Sequence, residues 1–305
     1  MASDLRPAYR FPLLILGFVA LGLGVLAGLS RLGWDTPLPH PGLISLHGPL
    51  MVSGFFGTVI GLERAVAIAR RWAYLGPLCS GLGGLVLITG GPTGIAITLL
   101  VFAGAVLAFA SLSAYRLQPS FHAGVLLLGA ASWGIGTLLW GLAQPWTAVV
   151  PWWIGFLVLT IAGERLELSR FMPPSLNAHR LFAAITALFL GGTLLSLFDA
   201  TLGWIVTGIS LLGYVVWLLS KDVARRTIKQ KGLTRFIAVC LLSGYRWLAV
   251  AGALLLFPQS SLGTGPLYDA ALHALFVGFV FSMVFGHAPI IFPAVTRRAI
   301  TESGV

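Results

Sequence analysis

Ten apolar runs of roughly bilayer-spanning length, each closed by charged residues or a Gly/Pro turn, leave this chain very few ways to fold. They cover residues 11–30, 46–69, 74–90, 94–115, 121–142, 147–168, 178–198, 202–220, 235–257 and 267–296. A helix needs about 20 apolar residues to cross a hydrocarbon core about 30 Å thick. Only helices and closed barrels satisfy every backbone N–H and C=O there. The runs are too long for barrel strands and do not alternate. Charged residues make up 9 % of the chain, against about 25 % in soluble domains. The expected fold is therefore all-α: a polytopic membrane bundle of about ten transmembrane helices, forming a single integral membrane domain over 1–305. The run 74–90 is short and glycine-rich, whereas 267–296 is long enough to tilt, or to kink near Pro289 and Pro293. The run after Arg10 exceeds a signal-peptide core and lacks a small-residue cleavage site, so it reads as a retained first span.

The formal charge is +10, and its placement argues against a nucleic-acid partner. Counting loops alternately, one side collects Arg6, Arg10, Arg70, Arg71, Arg116, Arg170, Arg180, the basic stretch 221–235, Arg297 and Arg298. The other side has Arg31 alone, with Asp35, Asp199 and Asp269. The positive-inside rule then predicts a bacterial inner (cytoplasmic) membrane protein with both termini cytoplasmic. Tryptophans near span ends, among them Trp34, Trp72, Trp146, Trp152 and Trp153, read as an interfacial belt. Cys79 and Cys240 read as small buried hydrophobes, and neither lies in a CxxCH motif for covalent haem.

A faint internal echo runs through the chain. Span 2 ends in Gly61-Leu62-Glu63-Arg64 and span 6 in Gly163-Glu164-Arg165, and span 10 carries Gly286-His287 at similar depth. Spans 2 and 10 also open alike, LHGPLMVSGF against LHALFVGFVF. The period is four helices, as in membrane proteins built from parallel repeats.

Histidines inside apolar runs mark functional positions by default. His47 and His273 stand at corresponding ends of spans 2 and 10, and two imidazoles on different helices are the least that holds an iron porphyrin. Gly48, Gly54, Ala274 and Gly278 would let a flat macrocycle approach the backbones. His287 lies fourteen residues after His273. At about 100° and 1.5 Å per residue it returns to within roughly 40° of the same face, roughly 21 Å deeper. It belongs to a separate inner site, with His122, Glu63 and Glu164 as the other candidates. Histidine with carboxylates suits non-haem iron or zinc. Glu63-Arg64 and Glu164-Arg165 read equally as snorkelling pairs near helix ends, and Glu63 sits about 160° round a uniform helix from His47. Arg246, mid-span, should face the bundle interior, where a haem propionate or an acid would pair it. Met51, one turn from His47, is a soft copper(I) donor or a packing residue. His40 and His179 read as loop and interfacial residues.

The two histidines with the four-helix period resemble the haem–copper oxidase superfamily. The string Leu272-His273-Ala274-Leu275…Gly278…Met283…Gly286-His287 resembles more closely the NnrS family, haem- and copper-associated bacterial membrane proteins linked to nitric oxide stress. That resemblance covers mainly spans 2 and 10. It implies a low-spin haem b with His47 and His273 as axial ligands, and a role in electron transfer or diatomic gas handling. Several oxidase features are missing. Span 6 has no histidine–tyrosine motif, span 7 has only His179 nearby and on the opposite side, and the span-10 histidines are fourteen apart rather than two. A copper-dependent, proton-pumping oxygen reductase is not expected, and ten spans are fewer than the twelve of typical NnrS proteins.

Two other classes stand beside this reading. One is a metal-ion or small-solute permease using His122, His287, Glu63, Glu164 and Arg246 as a polar pathway. The other is an integral subunit of a larger respiratory or photosynthetic complex. The expected partners are the lipid bilayer, a redox partner or small gas ligand, and a second copy or larger membrane complex.

Overall fold

The computed structural model describes residues 4–168 and 175–296, the last seven by their backbone alone. Nine helices among them are long and apolar enough to cross a membrane, and every regular element is helical. The protein is a multi-pass helical bundle, as its apolar runs require. Arg170, Arg297 and Arg298 lie outside the described residues. The chain divides into two compact units, residues 1–144 and 145–293 in the main.

The first unit begins with α1 (Phe11–Arg31). A single α turn, His47–Pro49, leads into a π-helix, π1 (Leu50–Phe56), and then α2 (Gly57–Ile68). Next come α3 (Leu75–Ile88), α4 (Thr93–Leu117) and α5 (Phe121–Gly141). α4 packs on both α3 and α5, while α1 packs on π1 and α3. The short third run becomes α3, 14 residues long, or about 21 Å at 1.5 Å per residue. Its glycines let three neighbours in. A Cβ on Gly81 would lie 2.9 Å from Leu16, one on Gly83 2.9 Å from Leu100, and one on Gly84 3.4 Å from the Gly54 backbone. Small residues that bring backbones together are how helices associate in lipid.

The second unit comprises α6 (Trp146–Leu168), α7 (Leu176–Leu195), α8 (Ala200–Lys221), α9 (Gly232–Leu254), α10 (Pro266–His273), a second π-helix π2 (Ala274–Phe281) and α11 (Ser282–Thr296). α8 packs between α7 and α9, and π2 packs on α9. α11 stays helical past Pro289. α6 is apolar all round and buried along nearly its whole length. Trp152 and Trp153 are therefore interior residues rather than part of an interfacial belt, whereas Trp34 and Trp146 are exposed.

The segment before α1 is tied down by charge. Buried Arg10 pairs with Asp4 at 2.6 Å, and the Tyr74 hydroxyl donates to the other Asp4 oxygen at 2.7 Å. Burial, and then the bond to Asp4, pushes the Tyr74 phenol up to about 12. A phenol whose folded value exceeds its unfolded value of about 10 stabilises the fold fully below pH 10. That contribution drains away as pH rises towards the folded value. Wild type should thus lose thermal stability faster than Tyr74→Phe between pH 10 and 12. Melting curves followed by circular dichroism check this, and parallel losses in the two proteins would rule it out.

Candidate functional site

In the first unit the His47 ring is held from outside its own helix. Its Nδ1 lies 2.7 Å from the Gly24 carbonyl of α1. A carbonyl only accepts, so Nδ1 carries the hydrogen and the neutral imidazole keeps its lone pair on Nε2. α1 admits the ring because Gly24 and Gly28 form a GxxxG notch. A Cβ on Gly28 would stand 2.8 Å from both Nδ1 and Cε1 of His47, and one on Gly24 would stand 2.9 Å from the Met51 sulfur. Residues 47 and 51 thus fill consecutive hollows, and Met51 sits in a packing role.

One turn after His47 the backbone widens into π1. π-helices are rare, mostly single-turn, and frequent at functional sites. One in hydrocarbon must still satisfy its carbonyls, and nearby hydroxyls do this. Thr58 Oγ1 donates to the Gly54 carbonyl at 2.7 Å, and Ser80 Oγ donates to the Ser53 carbonyl at 2.6 Å. Trp133 Nε1 donates to Ser53 Oγ at 3.0 Å, its indole lying where a Gly57 side chain would be.

The second unit repeats the device. His273 is the last residue of α10, immediately before π2, and its Nδ1 lies 2.7 Å from the Asp269 carbonyl. Its lone pair is likewise on Nε2, and the side chain is exposed. Ser282 Oγ donates to the Gly278 carbonyl at 2.6 Å, matching Thr58 and Gly54. The echo between spans 2 and 10 is therefore structural: histidine, π-helix, glycine, and a hydroxyl four residues on. In span 6, α6 is a continuous α-helix and does not share it.

Several expectations change once the π segments are seen. Eight π residues separate His273 from His287, and seven lie between His47 and Glu63. Angles counted at a uniform α-helical step, whether 40° or 160°, do not carry through a wider turn. Gly54 and Gly278 are not open to a macrocycle. Cβ atoms there would meet Ala20 at 2.9 Å and the Trp247 ring at 2.5 Å. Arg246 is exposed rather than interior. The inward face of α9 is taken by Leu241, Gly244, Tyr245, Leu248 and Ala251, and Arg246 is about 100° round from Tyr245. It shares the exposed stripe with Trp247, whose indole covers Gly278.

The four candidates for an inner metal site fall two to each unit. His122 and Glu63 are half-buried in the first, and His122 Nε2 lies 3.2 Å from Ser120 Oγ. Glu164 and His287 are in the second. No three His, Cys, Asp or Glu side chains converge to hold a metal ion among the described residues. His40 is a loop residue, its Nε2 3.0 Å from the Leu87 carbonyl.

The second unit also holds a buried cluster that the sequence does not single out. Arg165 is buried in α6, and its Nε and Nη2 donate to the two oxygens of Asp222 at 2.6 and 2.9 Å. The Tyr245 hydroxyl and the Ala224 amide donate to the same carboxylate at 2.8 and 2.7 Å. Arg165 was expected to snorkel, and instead it points inward. The available signal was Asp222 itself, the lone acid in the basic stretch 221–235.

These features define a multi-pass α-helical membrane protein with a histidine-led π-helix in each of its two units. The chain belongs to the family described as Domain of unknown function (DUF8744), whose model matches residues 10–301. No curated protein and no solved structure matches it.

Breaking a buried ion pair by removing one partner costs about 3–5 kcal/mol, because the other charge is left buried and unpaired. Asp222→Asn should destabilise the protein by about that much, and Arg165→Met/Asp222→Leu by clearly less. Thermal unfolding in detergent measures both. A double variant as unstable as the single would show that packing, rather than the stranded guanidinium, sets the cost.

Proposed function

We propose that the protein binds haem b through His47 and His273 as axial imidazoles and serves electron transfer or the handling of a diatomic gas such as nitric oxide. The observation that carries this reading is the matched setting of the two rings. Each stands directly before or within one turn of a π-helix, and each has Nδ1 bonded to a backbone carbonyl at 2.7 Å. That bond fixes the tautomer and ring angle of a metal-ligating histidine and raises its basicity. A porphyrin supplies four donors of its own, so one or two protein imidazoles complete the iron's shell. On the second unit, the exposed His273, the Trp247 indole over Gly278 and the exposed Arg246 supply the residue types such a ligand needs: an imidazole, a flat wall and a cation for a carboxylate. Bound haem would contribute one-electron chemistry, or an iron open to a gas if one axial position is vacated. The chain's own task is to hold the imidazoles and keep water away.

The charge asymmetry of the loops supports a bacterial inner-membrane location with both termini cytoplasmic. Arg246 favours one further reading, an integral subunit of a larger membrane complex. A mid-span cation on an exposed stripe suits an acid on a neighbouring helix from another subunit. A second metal such as copper, iron or zinc, and a permease pathway through His122, Glu63, Glu164 and His287, have less to rest on, because no three His, Cys, Asp or Glu side chains converge among the described residues.

Protein purified from haem-sufficient cells should show a Soret band and low-spin α and β bands on reduction. His47→Ala and His273→Ala should each abolish or alter them. Gly28→Leu, which replaces no ligand, should do so too, since its side chain would enter the space of the His47 ring. Absence of a Soret band in haem-sufficient wild-type protein would defeat the proposal. Stoichiometric co-purifying subunits would favour the complex instead.

A further inference from the structure

Three titratable side chains meet in the second unit, and a fourth, His287, has a nitrogen left over. Asp222 accepts four hydrogen bonds: from Arg165 Nε and Nη2, the Tyr245 hydroxyl and the Ala224 amide. His287 Nδ1 lies 2.7 Å from the Met283 carbonyl, so its hydrogen is on that nitrogen and its lone pair on Nε2. Nε2 is enclosed, and no hydrogen-bond partner reaches it among the described residues. The charges of Arg165 and Asp222 both act on the ring. α9 brings Tyr245 to Asp222, and Cys240 against Gly286, where a Cβ would come within 3.3 Å of it.

An enclosed lone pair can be filled by a metal ion or by a proton. A metal ion needs several donors at once. Asp222 already spends its acceptor positions on four donors. A proton needs only the lone pair. Asp222 lies just past Lys221 at the end of α8, next to the charged stretch that faces water, so the cluster joins that end to the interior.

We propose that His287 Nε2 is a proton-binding site inside the second unit, supplied from water at the Asp222 end of the cluster. A hydronium ion gives up its proton, an N–H bond forms at Nε2 and a water molecule remains. The imidazole becomes a cation in the field of both Asp222 and Arg165. Release reverses each change, and no oxidant or reductant takes part. The site stands independently of haem.

The test is nitrogen NMR of the full-length protein, labelled with ¹⁵N-histidine, in lipid nanodiscs. The His287 resonance is assigned by its loss in His287→Gln. If that variant does not fold, the other five histidines are changed in turn and it is assigned by elimination. It should convert reversibly from neutral Nε2 to imidazolium as the pH is lowered. Tyr245→Phe removes one donor from Asp222, strengthens the carboxylate's pull and should raise the midpoint by about half a pH unit or more. A ring that stays neutral throughout overturns the proposal, as does a midpoint unmoved in Tyr245→Phe. Stoichiometric capture of the Nε2 signal by added Zn²⁺ or Cu⁺ overturns it in favour of a metal site.

Discussion

Within hydrocarbon every backbone polar group needs a partner, and much of this protein's detail follows from meeting that demand at two places where the helix widens. A π turn shifts the carbonyl ladder, so the displaced groups must be taken up by side chains. Thr58, Ser80 and Ser282 supply the hydroxyls. Each then constrains its surroundings. Ser80 sits on α3, so α3 has to lie close, and its glycines are what let it. Ser53 offers its own hydroxyl to Trp133, so α5 is drawn in as well. The π segment thus sets the packing of its unit rather than perturbing it, and the histidine before it inherits a fixed position.

Each unit also carries an aspartate that an arginine and a tyrosine both reach. Asp4 is met by Arg10 and Tyr74, and Asp222 by Arg165 and Tyr245. The two clusters have the same chemistry in different settings. Asp4 belongs to a short segment ahead of α1, so its cluster pins that segment. Asp222 links α6, α8 and α9, and both members of its ion pair are almost wholly buried. Desolvating two charges is repaid only when the remaining donors and acceptors are also satisfied. The four bonds to Asp222 meet that condition. The arrangement gives the unit a fixed alignment of three helices that apolar contacts alone would leave free to slide.

The spans were legible because length and composition decide them, with little left for long-range contacts to alter. The short α3 was legible for the same reason. The π-helices were not. A run apolar on every side gives no phase, so a change from 3.6 residues per turn leaves no trace in the pattern. His47 and His273 stood out as imidazoles among aliphatic residues, yet the partners that define their tautomers, Gly24 and Asp269, contribute only backbone and have no identity to read. The GxxxG spacing of Gly24 and Gly28 was a usable sign of a close neighbour, though not of which one. Arg246 was misjudged because a mid-span charge was assumed to turn inward. On α9 the interior places were already filled by residues at helical spacing. Asp222 was hidden by the basic residues around it.

The three span histidines separate in a way that their identical local chemistry does not explain. Each has Nδ1 on a backbone carbonyl at 2.7 Å, so each keeps its lone pair on Nε2. In His273 and His287 the carbonyl belongs to the preceding turn of the same helix, and the bond survives as long as that helix does. In His47 it belongs to α1, 23 residues earlier, so ring position there depends on helices staying packed. Surroundings then divide the pair that local geometry makes alike. The His273 side chain is exposed on its unit, whereas the Nε2 of His287 is enclosed. The same tautomer thus stands in two different settings along one span.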